Sequence, residues 1–138
     1  MCGLVGFCNF QKNLTTDKNI LIKMNQTLSK RGPDEEGYYI KEHIALGHRR
    51  LIVIDPEGGK QPMVENFYEK QYVICYNGQI YNTKELKQTL LENGFTFQGH
   101  SDTEVLLKAY IYYGKDVVHH LNGIFAFAIW DEKNRNFF

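Results

Sequence analysis

The sequence predicts an α+β fold built as one domain. Its 138 residues suffice for a single core, and its 43% hydrophobic and 23% charged residues are typical of a globular chain. Hydrophobic periodicity orders the predicted elements as β, α, β, β, β, α, α, β. Because strands and helices do not alternate strictly, this order favours the α+β class over a parallel α/β sheet.

The first half of the chain is predicted to hold a strand, a helix and a hairpin. Residues 2–10 alternate small and apolar side chains, which is typical of a buried strand. Residues 16–30 carry apolar side chains at helical spacing and predict an amphipathic helix, which the sequence RGPDEEG ends. The stretch YYIKEHIALGHRRLIVID then indicates two strands of a hairpin that stop at the turn DPEGG.

The second half is predicted to hold two more helices and further strands. The stretch YVICYNGQIYN predicts a strand with a break at its Asn-Gly pair. A helix over residues 84–93 is stopped by Gly94, and Ser101 with Glu104 forms the capping box of a third helix. A short helical piece is predicted near residues 117–121. The stretch GIFAFAIWDE strongly predicts a strand, and RNFF indicates the start of a partner strand.

Charge and composition exclude several classes of function. Sixteen basic residues balance sixteen acidic ones, which argues against a nucleic-acid surface, and no apolar stretch is long enough to cross a membrane. Without a signal peptide, Cys2, Cys8 and Cys75 are expected to be reduced thiols in a cytoplasmic protein. The cysteines and histidines lack the spacing of a zinc site, so no metal site is expected.

The second residue, Cys2, is a candidate nucleophile. If Met1 is removed, Cys2 gains a free α-amino group, whose reference pKa of about 7.7 to 8.0 leaves a useful fraction unprotonated near neutral pH. This amine can accept the thiol proton directly or through one water, which joins nucleophile and base in one residue. The alternative is a small core residue at the start of a strand, because free cysteine is commonly buried.

The Asn-Gly pair in YNGQIYN has two interpretations. Asn-Gly between strands usually forms a hairpin turn. Here the flanks are apolar and aromatic on both sides, and Gly78 leaves its N–H unobstructed. The side-chain amide of Asn77 and the N–H of Gly78 could then converge on one oxygen, as the donors of an oxyanion hole do.

Two charged side chains are candidates for binding a substrate. Strand alternation sends Arg49 and Arg50 to opposite faces, so that one of them can point inward and hold a carboxylate bidentately. Asp102 lies in the first turn of its predicted helix, where the helix dipole favours a carboxylate. That structural reason is sufficient for Asp102, but the same carboxylate could bind an ammonium group.

Seven motifs follow one another along the chain: MCGLVGF, RGPDEEG, LGHRRLIVID, GGKQPM, CYNGQIYN, SDTEVLLKAY and LNGIFAFAIWDE. In this order they resemble the glutaminase domain of class II glutamine amidotransferases, which are N-terminal nucleophile hydrolases. Within the class, RGPD, HRRL and QPM are similar to the asparagine synthetases rather than to amidophosphoribosyltransferase or glucosamine-6-phosphate synthase. The resemblance extends over residues 1–138 and implies that they belong to one glutaminase domain.

The resemblance implies a fold and a reaction. The fold is a four-layer αββα sandwich, with the N-terminal cysteine between two antiparallel sheets. Cys2 matches the nucleophile that attacks the side-chain amide of glutamine, and Asn77 and Gly78 match the oxyanion donors. The products are glutamate, formed through a thioester, and ammonia for a second site.

The resemblance also implies how glutamine is held. Asp102 matches the carboxylate that faces the substrate ammonium. Gln79 stands in a substrate-binding position where glutamate is common, so an acidic contact to that ammonium is weakened. Lys30 replaces a histidine that often precedes RGPD. Arg50 matches the arginine that holds the α-carboxylate of the substrate. The backbone of four following residues assists it: Leu51, Ile52, Val53 and Ile54.

Further expectations concern what lies outside the chain. The strand-like end at Phe138 indicates a truncated domain, followed in the full-length protein by a synthetase domain. ATP and magnesium are expected only there, and no cofactor is expected in this domain. The resemblance also allows a homodimer. The rival hypothesis is a non-catalytic domain that binds glutamine or forms an interface, and a third is the glutaminase domain of another class II amidotransferase.

Overall fold

The computed structural model describes residues 1–53, 57 and 59–138 of the chain. Within these residues, seven strands form two antiparallel sheets. The strands are β1 (Gly3–Cys8), β2 (Glu35–Ile40), β3 (Ile44–Arg50), β4 (Met63–Phe67), β5 (Lys70–Ile80), β6 (Gly123–Asp131) and β7 (Asn136–Phe137). The helices are α1 (Lys18–Gln26), α2 (Thr83–Glu92) and α3 (Asp102–Tyr113), with short 3₁₀ segments at Leu14–Asp17 and Gly114–His120.

The two sheets lie face to face between helices. One sheet has the strand order β1-β3-β2 and the other β4-β5-β6-β7. On β3, Ala45 packs in the apolar cluster under α1, whereas Ile44 and Leu46 pack in the cluster between the sheets. On β5, Val73 faces the first sheet and Ile74 joins the core shared with α2 and α3. Strand alternation thus builds the four-layer αββα sandwich and confirms the predicted fold class.

The first predicted helix is shorter than its pattern suggested. A 3₁₀ segment precedes α1 and is capped by Asn13, whose side chain accepts a hydrogen bond from Thr15 N–H. The α-helix ends at Gln26, and hydrogen-bonded turns replace it up to Gly32, so the predicted end at residue 30 was wrong. None of the helices in the described residues has the length and apolar character that crossing a membrane requires.

The predicted hairpin is confirmed, but the central part of the chain differs from the prediction. The β2–β3 ladder pairs Glu35 with Arg50 at its end, so the second strand stops earlier than expected. β4 was missed. The predicted break in β5 was wrong, because the ladder with β6 continues through Asn77 and Gly78, which pair with Ala126 and Phe125.

The third helix begins where its capping residues predicted. The Ser101 side chain accepts a hydrogen bond from Glu104 N–H, which confirms the first half of the capping box. The Glu104 carboxylate accepts from Gln98 N–H at 2.8 Å and from Gly99 N–H at 2.9 Å. Lys108 pairs with Glu104 at 2.7 Å, so this buried pair fixes the loop that leads into α3.

Candidate active site

A cavity of about 400 Å³ lies where the start of β1, the end of β3, the second half of β5 and the start of α3 meet. It brings together residues that are far apart in the sequence. Eight of the ten predicted site residues line it: Cys2, Arg50, Leu51, Val53, Asn77, Gly78, Gln79 and Asp102. Ile52 is not among the lining residues, and Ile54 lies outside the described residues.

The thiol of Cys2 is held at the cavity by one backbone residue. Leu51 N–H donates to Cys2 Sγ at 3.3 Å, and the thiol lies 3.6 Å from the Leu51 carbonyl oxygen, to which it donates. Met1 precedes the thiol, lines the same cavity and is 66% exposed. Removing Met1 would therefore both free the α-amino group of Cys2 and enlarge the space beside its thiol.

The two arginines at the end of β3 point to opposite faces. Arg50 shares the alternation of Leu46, so its side chain lies between the sheets, and the residue is only 4% exposed. Its Nη1 donates to Glu35 Oε2 at 2.9 Å, across the β2–β3 ladder. Arg49 forms its own 2.9 Å pair with Glu36. The structure therefore selects Arg50 as the arginine that faces the cavity.

The segment after Arg50 is tied to the preceding turn. Ile52 N–H donates to Asp34 Oδ2 at 2.8 Å. Asp34 comes from the RGPD sequence, so this contact joins two motifs that are eighteen residues apart. Val53 lines the cavity and exposes most of its side chain. The N–H of Ile52 thus already has an intramolecular acceptor.

The N–H of Gly78 points away from the β5–β6 ladder. Backbone groups of alternate residues in an antiparallel strand point to opposite neighbours. The carbonyl of Gln71 and the N–H of Tyr81 form hydrogen bonds on the side of β6. The N–H of Tyr76 points to the other side, where it donates to Gln61. By this alternation Gly78 points to the same side as Tyr76, where the pairing of β4 with β5 extends only as far as Ile74.

Position 78 also requires glycine for a steric reason. Its φ of +155° is rare for residues with a side chain. A Cβ added there would lie 2.3 Å from the carbonyl oxygen of Ile124 and 2.6 Å from Cα of Phe125. The close approach of β6 therefore excludes every larger residue.

Asp102 is held by a tyrosine that sequence reasoning missed. The Tyr76 hydroxyl donates to Asp102 Oδ2 at 2.7 Å, and both residues line the cavity. Burial raises the pKa of Tyr76, and the hydrogen bond and negative charge of Asp102 raise it further. Tyr76 is therefore a neutral donor. Its place directly before Asn77 was the signal that could have identified it.

Gln61 is a second missed residue of the site. Its Oε1 accepts a hydrogen bond from Tyr76 N–H at 2.6 Å, and its Nε2 donates to Thr103 Oγ1 at 3.3 Å. One side chain thus connects β5 to the first turn of α3. The motif GGKQPM contained Gln61, but nothing in its local pattern showed which backbone it would reach.

The cavity is lined by charged side chains of opposite sign. Among the described lining residues, Arg50 and Asp102 are the charged side chains. Asn77 and Gln79 add side-chain amides, and Tyr81 adds an exposed aromatic ring. An α-amino acid carries a carboxylate and an ammonium on one carbon. The cavity can therefore match both charges of a zwitterion and leave neutral polar groups for its side chain.

The sequence model of a family described as a glutamine amidotransferase domain matches residues 1–138. The chain belongs to this family. It is 49% identical over 138 residues to asparagine synthetase (glutamine-hydrolyzing) 3 of Bacillus subtilis (strain 168), covering 100% of this chain and 22% of that protein. A Zea mays asparagine synthetase (glutamine-hydrolyzing) is 35% identical over 137 residues, covering 99% and 23%. The chain thus spans about a fifth of the length of these relatives.

Two solved structures of similar fold agree with this family membership. One is described as the allosteric regulatory enzyme of purine biosynthesis, with a TM-score of 0.56 and 31% identity over 67% of this chain and 22% of that chain. The other is the glutamine phosphoribosylpyrophosphate amidotransferase of B. subtilis, complexed with ADP and GMP. Its TM-score is 0.54, with 29% identity over 65% of this chain and 21% of that chain.

Proposed function

We propose that this domain hydrolyses glutamine to glutamate and ammonia with Cys2 as the nucleophile. The observation that carries the proposal is the single cavity shared by the Cys2 thiol, the Asn77–Gly78 pair and the opposite charges of Arg50 and Asp102. Each of these groups has a role in amide hydrolysis of an amino-acid side chain. Cys2 lies just before β1, and the other groups come from β3, β5 and α3. These residues are far apart in the sequence, so only the tertiary fold brings them together.

Glutamine is oriented by its α-carbon charges. Arg50 binds the α-carboxylate, and its pair with Glu35 keeps the guanidinium fixed at the cavity wall. Asp102 binds the α-ammonium, held in place by Tyr76. Gln79 lies beside this end of the site as a neutral contact. Leu51 N–H donates to Cys2 Sγ and Ile52 N–H donates to Asp34, so these two backbone groups support the site rather than donating to the substrate.

The chemical step begins at the amino-terminal residue. After loss of Met1, the α-amine of Cys2 takes the thiol proton, and the thiolate attacks the carbonyl carbon of the substrate amide. The oxyanion is stabilised by the side-chain amide of Asn77 and the N–H of Gly78, which points away from the ladder. The ammonium returns its proton to the leaving nitrogen, ammonia departs, and water hydrolyses the resulting thioester to glutamate.

The ammonia is consumed elsewhere in a longer protein. The relatives named asparagine synthetase (glutamine-hydrolyzing) match this chain over about a fifth of their length. We therefore assign ATP and magnesium to the remaining portion, where ammonia is transferred to aspartate. The 49% identity to one such relative favours this acceptor over that of the purine enzymes. A reducing cytoplasm suits the free thiols of Cys2, Cys8 and Cys75.

The test is a comparison of full-length protein with and without Met1. Mass spectrometry identifies the amino terminus, and glutamate release measures turnover. We expect processed protein to be active and Met1-bearing protein to be folded but inactive, because an amide nitrogen cannot accept the thiol proton. Full turnover by a homogeneous Met1-bearing sample would refute the N-terminal nucleophile mechanism.

A second measurement separates the enzyme from a non-catalytic glutamine-binding domain. A glutamine analogue with a diazomethyl ketone in place of the amide should alkylate Cys2 in the processed protein. The Cys2→Ala variant should bind glutamine without turnover and should not be labelled. If glutamine binds to the processed protein with no turnover and no labelling, the binding-module hypothesis is correct.

A further inference from the structure

We propose that His48 is a positioning residue for the oxyanion-binding segment at residues 76–78, which it holds from the opposite sheet. The proposal rests on the glutaminase reaction described above. His48 does not line the cavity. It acts through the backbone of Tyr76, the residue that precedes Asn77.

The backbone of Tyr76 lies beyond the end of the neighbouring strand. β4 pairs with β5 only up to Ile74, so the ladder supplies neither a donor nor an acceptor to Tyr76 on that side. Two side chains bond to Tyr76 in place of the missing β4 backbone. Gln61 Oε1 accepts from Tyr76 N–H at 2.6 Å, and His48 Nε2 lies 2.9 Å from the Tyr76 carbonyl oxygen. Position 76 is thus fixed by side chains from outside the sheet.

The contact to the Tyr76 carbonyl holds one end of the peptide unit that precedes Asn77, whose N–H lies on the β6 side by the same alternation. The carbonyl of Tyr76 and the nitrogen of Asn77 belong to one planar peptide unit, so fixing the oxygen fixes the plane. Rotation of that plane would move the Asn77 side chain and redirect the N–H of Gly78. Oxyanion donors stabilise the transition state only when they are held at the place where the charge develops. His48 therefore contributes to the geometry that the chemical step needs.

The protonation state of His48 suits this role. A carbonyl oxygen only accepts hydrogen bonds, so Nε2 must carry the proton in the contact with Tyr76. Burial lowers the pKa of His48 and the nearby charge of Arg50 lowers it further, although the hydrogen bond to Tyr76 acts in the opposite direction. The ring is neutral, and its Nδ1 has no hydrogen-bond partner among the described residues.

The backbone of His48 is fixed from the other side by α1. Asn25 lies fully buried on this helix, and its Nδ2 donates to the His48 carbonyl oxygen at 3.3 Å. Gly47 permits this approach, because a Cβ there would lie 3.2 Å from Cγ of Asn25. A line of hydrogen bonds therefore runs from α1 through β3 to β5, and the hydroxyl of Tyr76 extends it to Asp102.

Three substitutions in the processed full-length protein test the role. His48→Gln keeps an amide N–H near the position of Nε2, His48→Asn is polar but too short to reach the carbonyl, and His48→Phe keeps the ring without a donor. We expect His48→Gln to retain glutamine turnover within about threefold. His48→Asn and His48→Phe should lower kcat about tenfold, the loss of one buried hydrogen bond, while KM changes by less than about threefold.

His43 provides a matched control. It lies just before β3 at the end of the strand away from Arg50, and its Nδ1 is 3.1 Å from the Asn9 carbonyl oxygen. The same three substitutions at this position change a hydrogen bond between a histidine ring and a backbone carbonyl far from the cavity: His43→Gln, His43→Asn and His43→Phe. These variants should leave kcat and KM unchanged. Thermal melting and the fraction of folded protein are measured for all six variants, and kcat is calculated per folded molecule.

Two results would overturn the proposal. One is equal kcat for His48→Asn and His48→Gln, which would show that the donor position does not matter. The other is a loss confined to KM, which would place His48 in substrate binding. If His48→Phe fails to fold, the Asn and Gln variants still decide between these outcomes. Inactivity of the unaltered processed protein would instead refute the glutaminase function itself.

Discussion

Removal of the Tyr76 hydroxyl is expected to weaken glutamine binding through Asp102. Tyr76→Phe keeps the aromatic ring in the core beside α3, where the residue is 3% exposed. It deletes the 2.7 Å hydrogen bond to Asp102 Oδ2. Asp102 then loses the contact that orients it toward the substrate ammonium.

The magnitude follows from the nature of this bond. A hydrogen bond to a charged group contributes about 1.5 to 3 kcal/mol, which sets a ceiling of roughly 100-fold on the change in KM. Water can replace part of the lost contact at this partly open site, so we expect KM for glutamine to rise about tenfold. The change in kcat should be less than about threefold, because Tyr76→Phe leaves the oxyanion donors in place.

The assay compares two substrates in the processed full-length enzyme. Glutamate release gives kcat and KM for glutamine, and ammonia release gives them for 4-carbamoylbutanoate, which is glutamine without its α-amino group. Tyr76→Phe should impair glutamine hydrolysis and leave kcat/KM for the second substrate unchanged. Tyr72→Phe is the control, because Tyr72 is buried on the same strand with the same alternation. An equal loss on both substrates would refute the role of Asp102 as the ammonium contact.

Three further predictions concern two residues of the site and the two cysteines outside it. Arg50→Ala should raise KM for glutamine at least tenfold, with a smaller change in kcat, and an unchanged KM would remove its assigned role. Asn77→Ala should lower kcat by a factor on the order of 100, about 3 kcal/mol, and leave glutamine affinity nearly intact in a binding titration. Burial raises the pKa of both Cys8 and Cys75, so Ala at either position should preserve glutaminase activity, and lost turnover in a folded variant would show that Cys2 is not the sole reacting thiol.

Local signals were sufficient for most of the secondary structure. The predicted helix over residues 84–93 corresponds to α2, and Ser101 caps α3, because caps and helical periodicity act within a few residues. β4 was missed because its five residues alternate weakly and gain their pairing from β5, which follows a tight turn. α1 ends early because its last predicted residues form turns instead of helix.

The Asn-Gly pair shows why a local rule can fail. In isolation Asn77–Gly78 predicts a turn or a break, since Gly permits unusual backbone angles. In the folded chain β6 pairs across both residues, and its backbone approaches Gly78 so closely that no Cβ fits. Gly78 therefore allows β5 and β6 to pack closely within the sheet instead of forming a turn. Only the partner strand could reveal this.

The sequence by itself determined the α+β class, the candidate thiol and the motif residues that define the family. It also determined that Arg49 and Arg50 face opposite sides, but only the packing of two sheets decided that Arg50 lies inward. Tyr76, Gln61 and His48 came from the tertiary structure alone, through contacts between residues 15 to 28 positions apart. Such contacts leave no periodic pattern, because a buried hydrogen bond depends on where two distant backbones meet rather than on the residues beside each partner.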